Sequence, residues 1–210
     1  MLTSRGFSSL VIDTLCDRAS RENVTVACFY FDFAARKEQS STTMLGALLK
    51  QVVGGLRELP EEIVKAYEEQ KVAIGGRAPR ISDIVKMLQT VSFEKRIFIC
   101  IDALDECAAE HRAKLLGSLN QILQKSPGTR IFMTGRPHIQ AEIEKRLAGR
   151  IASVSITPRR DDITSYLHNR LDEDTIPDAM DRSLEADILK KIPEEISEMY
   201  VLALALGELP

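Results

Sequence analysis

Four short runs carry few polar residues: "VTVACFYFDF" (24–33), "RIFICID" (96–102), "RIFMT" (130–134) and "IASVSIT" (151–157). Such near-continuous stretches of Ile, Val and Phe predict strands covered on both faces, as in a parallel sheet. Between them the apolar positions change to helical spacing. Leu45, Leu48, Leu49, Val52 and Val53 form one stripe, Ile81, Ile84, Val85 and Leu88 a second, and Leu115, Leu116, Leu119, Ile122 and Leu123 a third. A more polar helix is predicted around "PEEIVKAYEEQ", followed by an exposed loop at "GGRAPR" (75–80). Strand and helix alternate, which predicts an α/β fold. After residue 157, Ile163, Tyr166, Leu167 and Leu171 open a helical region expected to reach the end of the chain. In it "MYVLALAL" reads as a helix that serves as core rather than as a docking face. The division is thus an α/β unit over 1–158 and a small helical segment over 159–210.

Composition narrows the function classes. With 210 residues, 44% apolar content and a net charge of −3, the chain can bury one sizeable core. It shows no basic surface for nucleic acid or anionic membrane. The apolar run "MYVLALAL" is far shorter than the ~20 residues of a membrane helix, and "MLTSRGFSSL" lacks the apolar centre of a signal peptide. Cys16, Cys28, Cys100 and Cys107 form no CxxC pair. These features point to a reduced, cytoplasmic setting.

The chemistry concentrates at two strand ends. Asp102 closes "RIFICID", and Asp105 and Glu106 follow in "ALDEC". In open α/β sheets ligands bind beyond the carboxyl ends of the strands, and an apolar strand ending in Asp suits a Mg²⁺ site in which a second acid orients water. The alternative is local: Asp105 caps the helix expected near Cys107, and Glu106 favours its first turn. At the next strand end Thr134 and Arg136 offer a hydroxyl and a guanidinium to a phosphate, although Gly135 and Pro137 are also ordinary turn residues. A metal nuclease or phosphatase built on the three acids would need a further ligand. His111, His138 and His168 form no recognisable set with them.

The order "VTVACFYFDF", "SSTTMLGALLKQVV", "RIFICIDALDEC", "RIFMTGRPH" and "IASVSITPRRDDITSYLHNRL" closely resembles the NACHT-type P-loop signalling NTPases of fungi, with a nephrocystin-like N-terminal arrangement. The resemblance covers nearly the whole chain. It implies a P-loop NTPase-like parallel sheet, with ATP or GTP and Mg²⁺ as cofactors of a conformational switch. "IDALDE" then falls on the Walker B element, with Asp102 associated with magnesium and Asp105 and Glu106 positioned to orient water. Thr134 and Arg136 fall on the first sensor of the terminal phosphate.

The chain departs from that pattern in two respects, the lesser being that "ISEMYVLALALGELP" resembles the Gly-Met-Phe-like step that usually ends this region but lacks its glycine. A P-loop needs a glycine-rich turn ending in Gly-Lys-Ser/Thr, and none of the eleven glycines here is followed by lysine. Met1 starts about where the resemblance would end that loop, so the family's central strand is expected to be missing as well. Strands 130–134 and 151–157 are then expected to close up and pair directly. Two functions follow: a nucleotide switch that is weak or inactive unless the P-loop is supplied, or a non-catalytic module that binds other protein domains or itself.

Overall fold

The computed structural model describes residues 4–36, 38–56, 58–72, 79–147, 151–156, 159–172, 181–196 and 201–206. A five-stranded sheet in the order β1-β2-β3-β5-β4 forms its centre, from Val24–Tyr30 (β1), Arg96–Asp102 (β2), Thr129–Gly135 (β3), Ile151–Ile156 (β4) and Val201–Leu206 (β5). β1, β2 and β3 are parallel neighbours, as their apolar runs predict.

The helical stripes supply one covering layer. They lie in α2 (Ser41–Gly54), α4 (Ile81–Glu94) and α5 (Ala109–Lys125), and the polar helix α3 spans Glu61–Val72. Leu45, Leu48, Ile84, Leu88, Leu116 and Leu119 join Ile97, Ile99, Ile101 and Met133 in one fully buried cluster. A Leu or Ile side chain buried in this way contributes on the order of 1.5–3 kcal/mol. Ser40 caps α2, its hydroxyl accepting from the Thr43 N–H at 3.2 Å. Residues 75–78 of the expected loop lie outside the described residues.

The opposite face is covered by a helix that the apolar pattern did not announce. This helix, α1 (Ser4–Arg21), packs on β1 and β2. Its sheet-facing positions include a serine, Ser8, beside Ile12, and both are buried. A stripe that mixes polar and apolar residues carries little periodic signal. At the outer edge of the sheet the Gln51 side chain covers β1, its Oε1 accepting from the Cys28 N–H at 2.9 Å and its Nε2 donating to the Cys28 carbonyl at 2.8 Å. The edge is thereby closed to further pairing at that point.

The end of the sheet corrects two expectations. β3 and β4 do not pair directly: β5 lies between them and is antiparallel to both, with Ala203 opposite Thr134 on one side and Val154 on the other. Residues 201–206 are therefore a strand and not the last part of a helix. Leu and Ala favour helices only weakly against context, whereas two facing strand edges leave rows of buried N–H and C=O groups that cost about 1–3 kcal/mol each when unmet. The helical segment itself is present as α7 (Arg160–Asp172), in which Ile163 is buried, and α8 (Arg182–Ile196), which pack together. The remaining crossover, from β3 to β4, runs through a short 3-10 turn at Pro137–Ile139 and α6 (Gln140–Arg146). No described helix is long and apolar enough to cross a membrane.

Candidate functional site

The strand ends of β2 and β3 lie side by side because the strands are parallel neighbours in register, Ile101 opposite Met133. That pairing brings Asp102 and Thr134 together. Asp102 is 1% exposed, and its Oδ1 accepts hydrogen bonds from the hydroxyls of Thr134 and Ser8. A buried carboxylate is tolerable only with such donors. Thr134 is the pivot of the arrangement. Its Oγ1 also accepts from the Ala103 N–H at 3.0 Å, so one hydroxyl fixes both the carboxylate and the first amide after β2.

The chain then turns sharply. Ala103 has φ 54° and ψ 45°, the left-handed region that a non-glycine residue occupies at a cost of roughly 1–2 kcal/mol. A 3-10 turn, Leu104–Glu106, follows, with Leu104 buried. Arg112 clamps this turn from α5, donating to the Cys107 carbonyl at 2.9 Å and pairing with Glu142 of α6 at 2.8 Å. Burial pushes the Cys107 thiol up to about 11, against the opposing influence of Arg112 and Arg36.

Asp105 does not cap a helix. The residue preceding α5 is Ala108, which makes no side-chain cap. Asp105 instead accepts from the Arg136 N–H at 3.3 Å and faces the Arg136 guanidinium at 3.4 Å. The ends of β2 and β3 are thus joined twice, by Asp102 with Thr134 and by Asp105 with Arg136. Close approach at Gly135 permits the second link, since a Cβ there would stand 2.8 Å from Ile139 Cδ1 and 3.5 Å from Asp105 Oδ1. Glu106 presents Oε2, buried and without a hydrogen-bond partner among the described residues.

A family model for the N-terminal region of nephrocystin 3 matches residues 7–136, which is more than half of the chain. The chain belongs to the nephrocystin 3 N-terminal family. The matched stretch begins one residue before Ser8 and ends on Arg136, so it contains every side chain of the double link. No curated protein matches the chain.

All five residues singled out in the sequence lie around the ends of β2 and β3, but the three acids do not act as one cluster. Asp102 is engaged by hydroxyls and Asp105 by Arg136. Among the described residues no group of three or more His, Cys, Asp and Glu side chains is able to hold a metal ion. Ser8 was not foreseen. Its only trace in the sequence is its place one helical turn before Ile12 on α1.

The fit to a magnesium nucleotide is therefore divided. A buried acid at a strand end, a Thr beside it and the partnerless Glu106 Oε2 suit the acidic side of such a site. The phosphate side is not matched, because no glycine-rich turn ending in Gly-Lys occurs in the 210 residues.

Proposed function

We propose that this member of the nephrocystin 3 N-terminal family forms the Walker B and sensor portion of a NACHT-type signalling NTPase domain, in which ATP or GTP with Mg²⁺ acts as a conformational switch. The direct hydrogen bond between Asp102 and Thr134 carries this reading, since it couples the two strand ends that would face the metal and the terminal phosphate. In this reading Asp102 is the magnesium-associated acid, Glu106 orients water, and Asp105 holds Arg136 near the phosphate. The domain works in the cytoplasm, in keeping with four free thiols.

Without a lysine and an amide cradle to stabilise charge on the transferring phosphoryl group, the chain alone neither hydrolyses nucleotide measurably nor binds it tightly. A steady-state phosphate-release assay, run with and without an added segment bearing Gly-Lys-Ser/Thr, tests this. Turnover by the chain alone that disappears in Asp102→Asn and Glu106→Gln overturns the claim of inactivity. Absence of nucleotide binding even with the loop supplied favours the second reading, a non-catalytic module for protein contacts.

A further inference from the structure

Among the described residues β1 pairs with β2 on one side and with no strand on the other. Its sequence, "VTVACFY", contains no charged residue and no proline, the devices that ordinarily keep an edge strand from pairing with another chain. Its guard must come from elsewhere in the fold.

The link to β2 fixes which backbone groups of β1 face outward. The Phe31 N–H donates to the Asp102 carbonyl at 3.1 Å, so odd-numbered residues turn their backbone groups toward β2 and even-numbered residues turn theirs away. Val24, Val26, Cys28 and Tyr30 therefore form the outer row. The Gln51 carboxamide offers one acceptor and one donor to Cys28, the same two bonds that a directly opposed residue of an antiparallel strand would exchange with it. α2 holds the carboxamide in that place through a further bond, from Nε2 to the Ala47 carbonyl at 3.3 Å, and the Cys28 Sγ lies 3.6 Å from Oε1.

The positions on either side are blocked at the same spacing. The Val24 N–H is taken by the Glu22 carbonyl at 2.8 Å, and that of Asp32, the next outward residue beyond Tyr30, by Gln39 Oε1 at 3.4 Å. Every second outward amide is thus bonded from within the chain, with Val26 and Tyr30 standing singly between them. A ladder needs successive rungs, and with Cys28 filled an incoming strand cannot make two in a row. Without the Gln51 side chain, Val26, Cys28 and Tyr30 would become a continuous row.

We propose that Gln51 is the guard that keeps β1 from pairing with β1 of a second copy of this chain. A second copy fits the edge because antiparallel pairing centred on Cys28 is two-fold symmetric and self-complementary. Val26 of each copy then meets Tyr30 of the other, a β-branched residue against an aromatic one, and neither strand brings a charge to oppose the match.

The test compares the full chain with Gln51→Ala by light scattering and amide hydrogen exchange over a series of protein concentrations. Gln51 is exposed, so the variant should keep its fold, which circular dichroism checks. In Gln51→Ala the Cys28 amide should exchange faster than in the wild type when dilute. As concentration rises, the amides of Val26, Cys28 and Tyr30 should become protected together while the mass doubles. The wild type should show no concentration dependence at these amides. Gln51→Glu keeps an acceptor for the Cys28 N–H and sets a charge at the edge, so it should behave as the wild type does. A folded Gln51→Ala chain that matches the wild type in mass and β1 exchange at every concentration overturns the proposal. So does association that leaves the β1 amides unchanged, or that Gln51→Glu or the wild type shows equally.

Discussion

The two halves of the sheet are built on different terms. β1, β2 and β3 are parallel, lie between α1 on one face and α2, α4 and α5 on the other, and supply side chains at 0–1% exposure such as Ala27, Ile99, Ile101 and Met133. β4 has the same strand length within a residue, yet Ser153, Val154 and Ser155 are exposed, Val154 at 58%. Among the described residues β4 pairs in the sheet only through β5, and β5 is the one strand that runs against the others. The family match covers the first half and stops before the second. Strand geometry alone therefore does not make a core; coverage of both faces does.

Substitutions in each half test that contrast, and the largest effects belong to the covered half. Leu119→Ala, in the centre of α5, should cost about 2–5 kcal/mol in denaturant unfolding, because the close-packed cluster cannot collapse around the void. Val154→Ala in β4 should stay within about 0.5 kcal/mol. Equal costs would show that the exposed half is as well packed as the covered one.

The next effect concerns the joint between the halves. Ala203→Pro removes a ladder amide from β5, which pairs on both sides. A loss on the order of 1–3 kcal/mol is expected. Hydrogen exchange should then accelerate in β4 and leave β1 and β2 protected. Uniform acceleration would mean that the two halves open as one unit.

At the site, Thr134→Ala removes a donor from the buried Asp102 and an acceptor from the Ala103 N–H. About 1–3 kcal/mol should be lost. Arg136→Ala should cost no more than about 0.5 kcal/mol despite its ion pair, because the guanidinium is 66% exposed and well screened. Thermal melts of both variants check the ranking. A costlier Arg136→Ala would mean that the outer link, not the inner one, holds the strand ends.

The smallest change has the opposite sign. Ala103→Gly relieves the left-handed backbone and should stabilise by up to about 1 kcal/mol, offset in part by the greater freedom of glycine when unfolded. A loss of stability would show that the Ala103 methyl contributes more by packing than its conformation costs.

What was legible in the sequence follows the same division. β1 to β3 and the stripes of α2, α4 and α5 were readable because burial on both faces writes unbroken apolar runs, and burial on one face writes a helical period; β4 was readable from its β-branched Ile151, Val154 and Ile156, although its middle is exposed. Asp102 and Thr134 were readable as polar residues closing apolar strands. α1 was not, since its buried stripe contains Ser8, whose role depends on a carboxylate far away in the chain. β5 was misread because Val, Leu and Ala alternate without a polar residue to mark a face. Its identity comes from the partners on either side, Ile131–Gly135 and Ile151–Ile156. The pairing of Asp105 with Arg136 likewise needed the register of β2 and β3, which single-chain spacing does not contain.

The position of β5 also sets an order of events during synthesis. β3 and β4 emerge from the ribosome well before residues 201–206, so both must wait with open edges until translation has passed the strand that joins them. At ~5–20 residues per second the wait after β4 lasts seconds, long beside the microseconds in which hairpins form. The nascent chain therefore offers an apolar, unpaired β3 edge during that interval, when neighbouring copies on the same message are closest. Slow codons upstream of residue 201 would lengthen this window and faster decoding would shorten it, which makes the yield of folded protein sensitive to translation speed in a way that the stability of the finished fold is not.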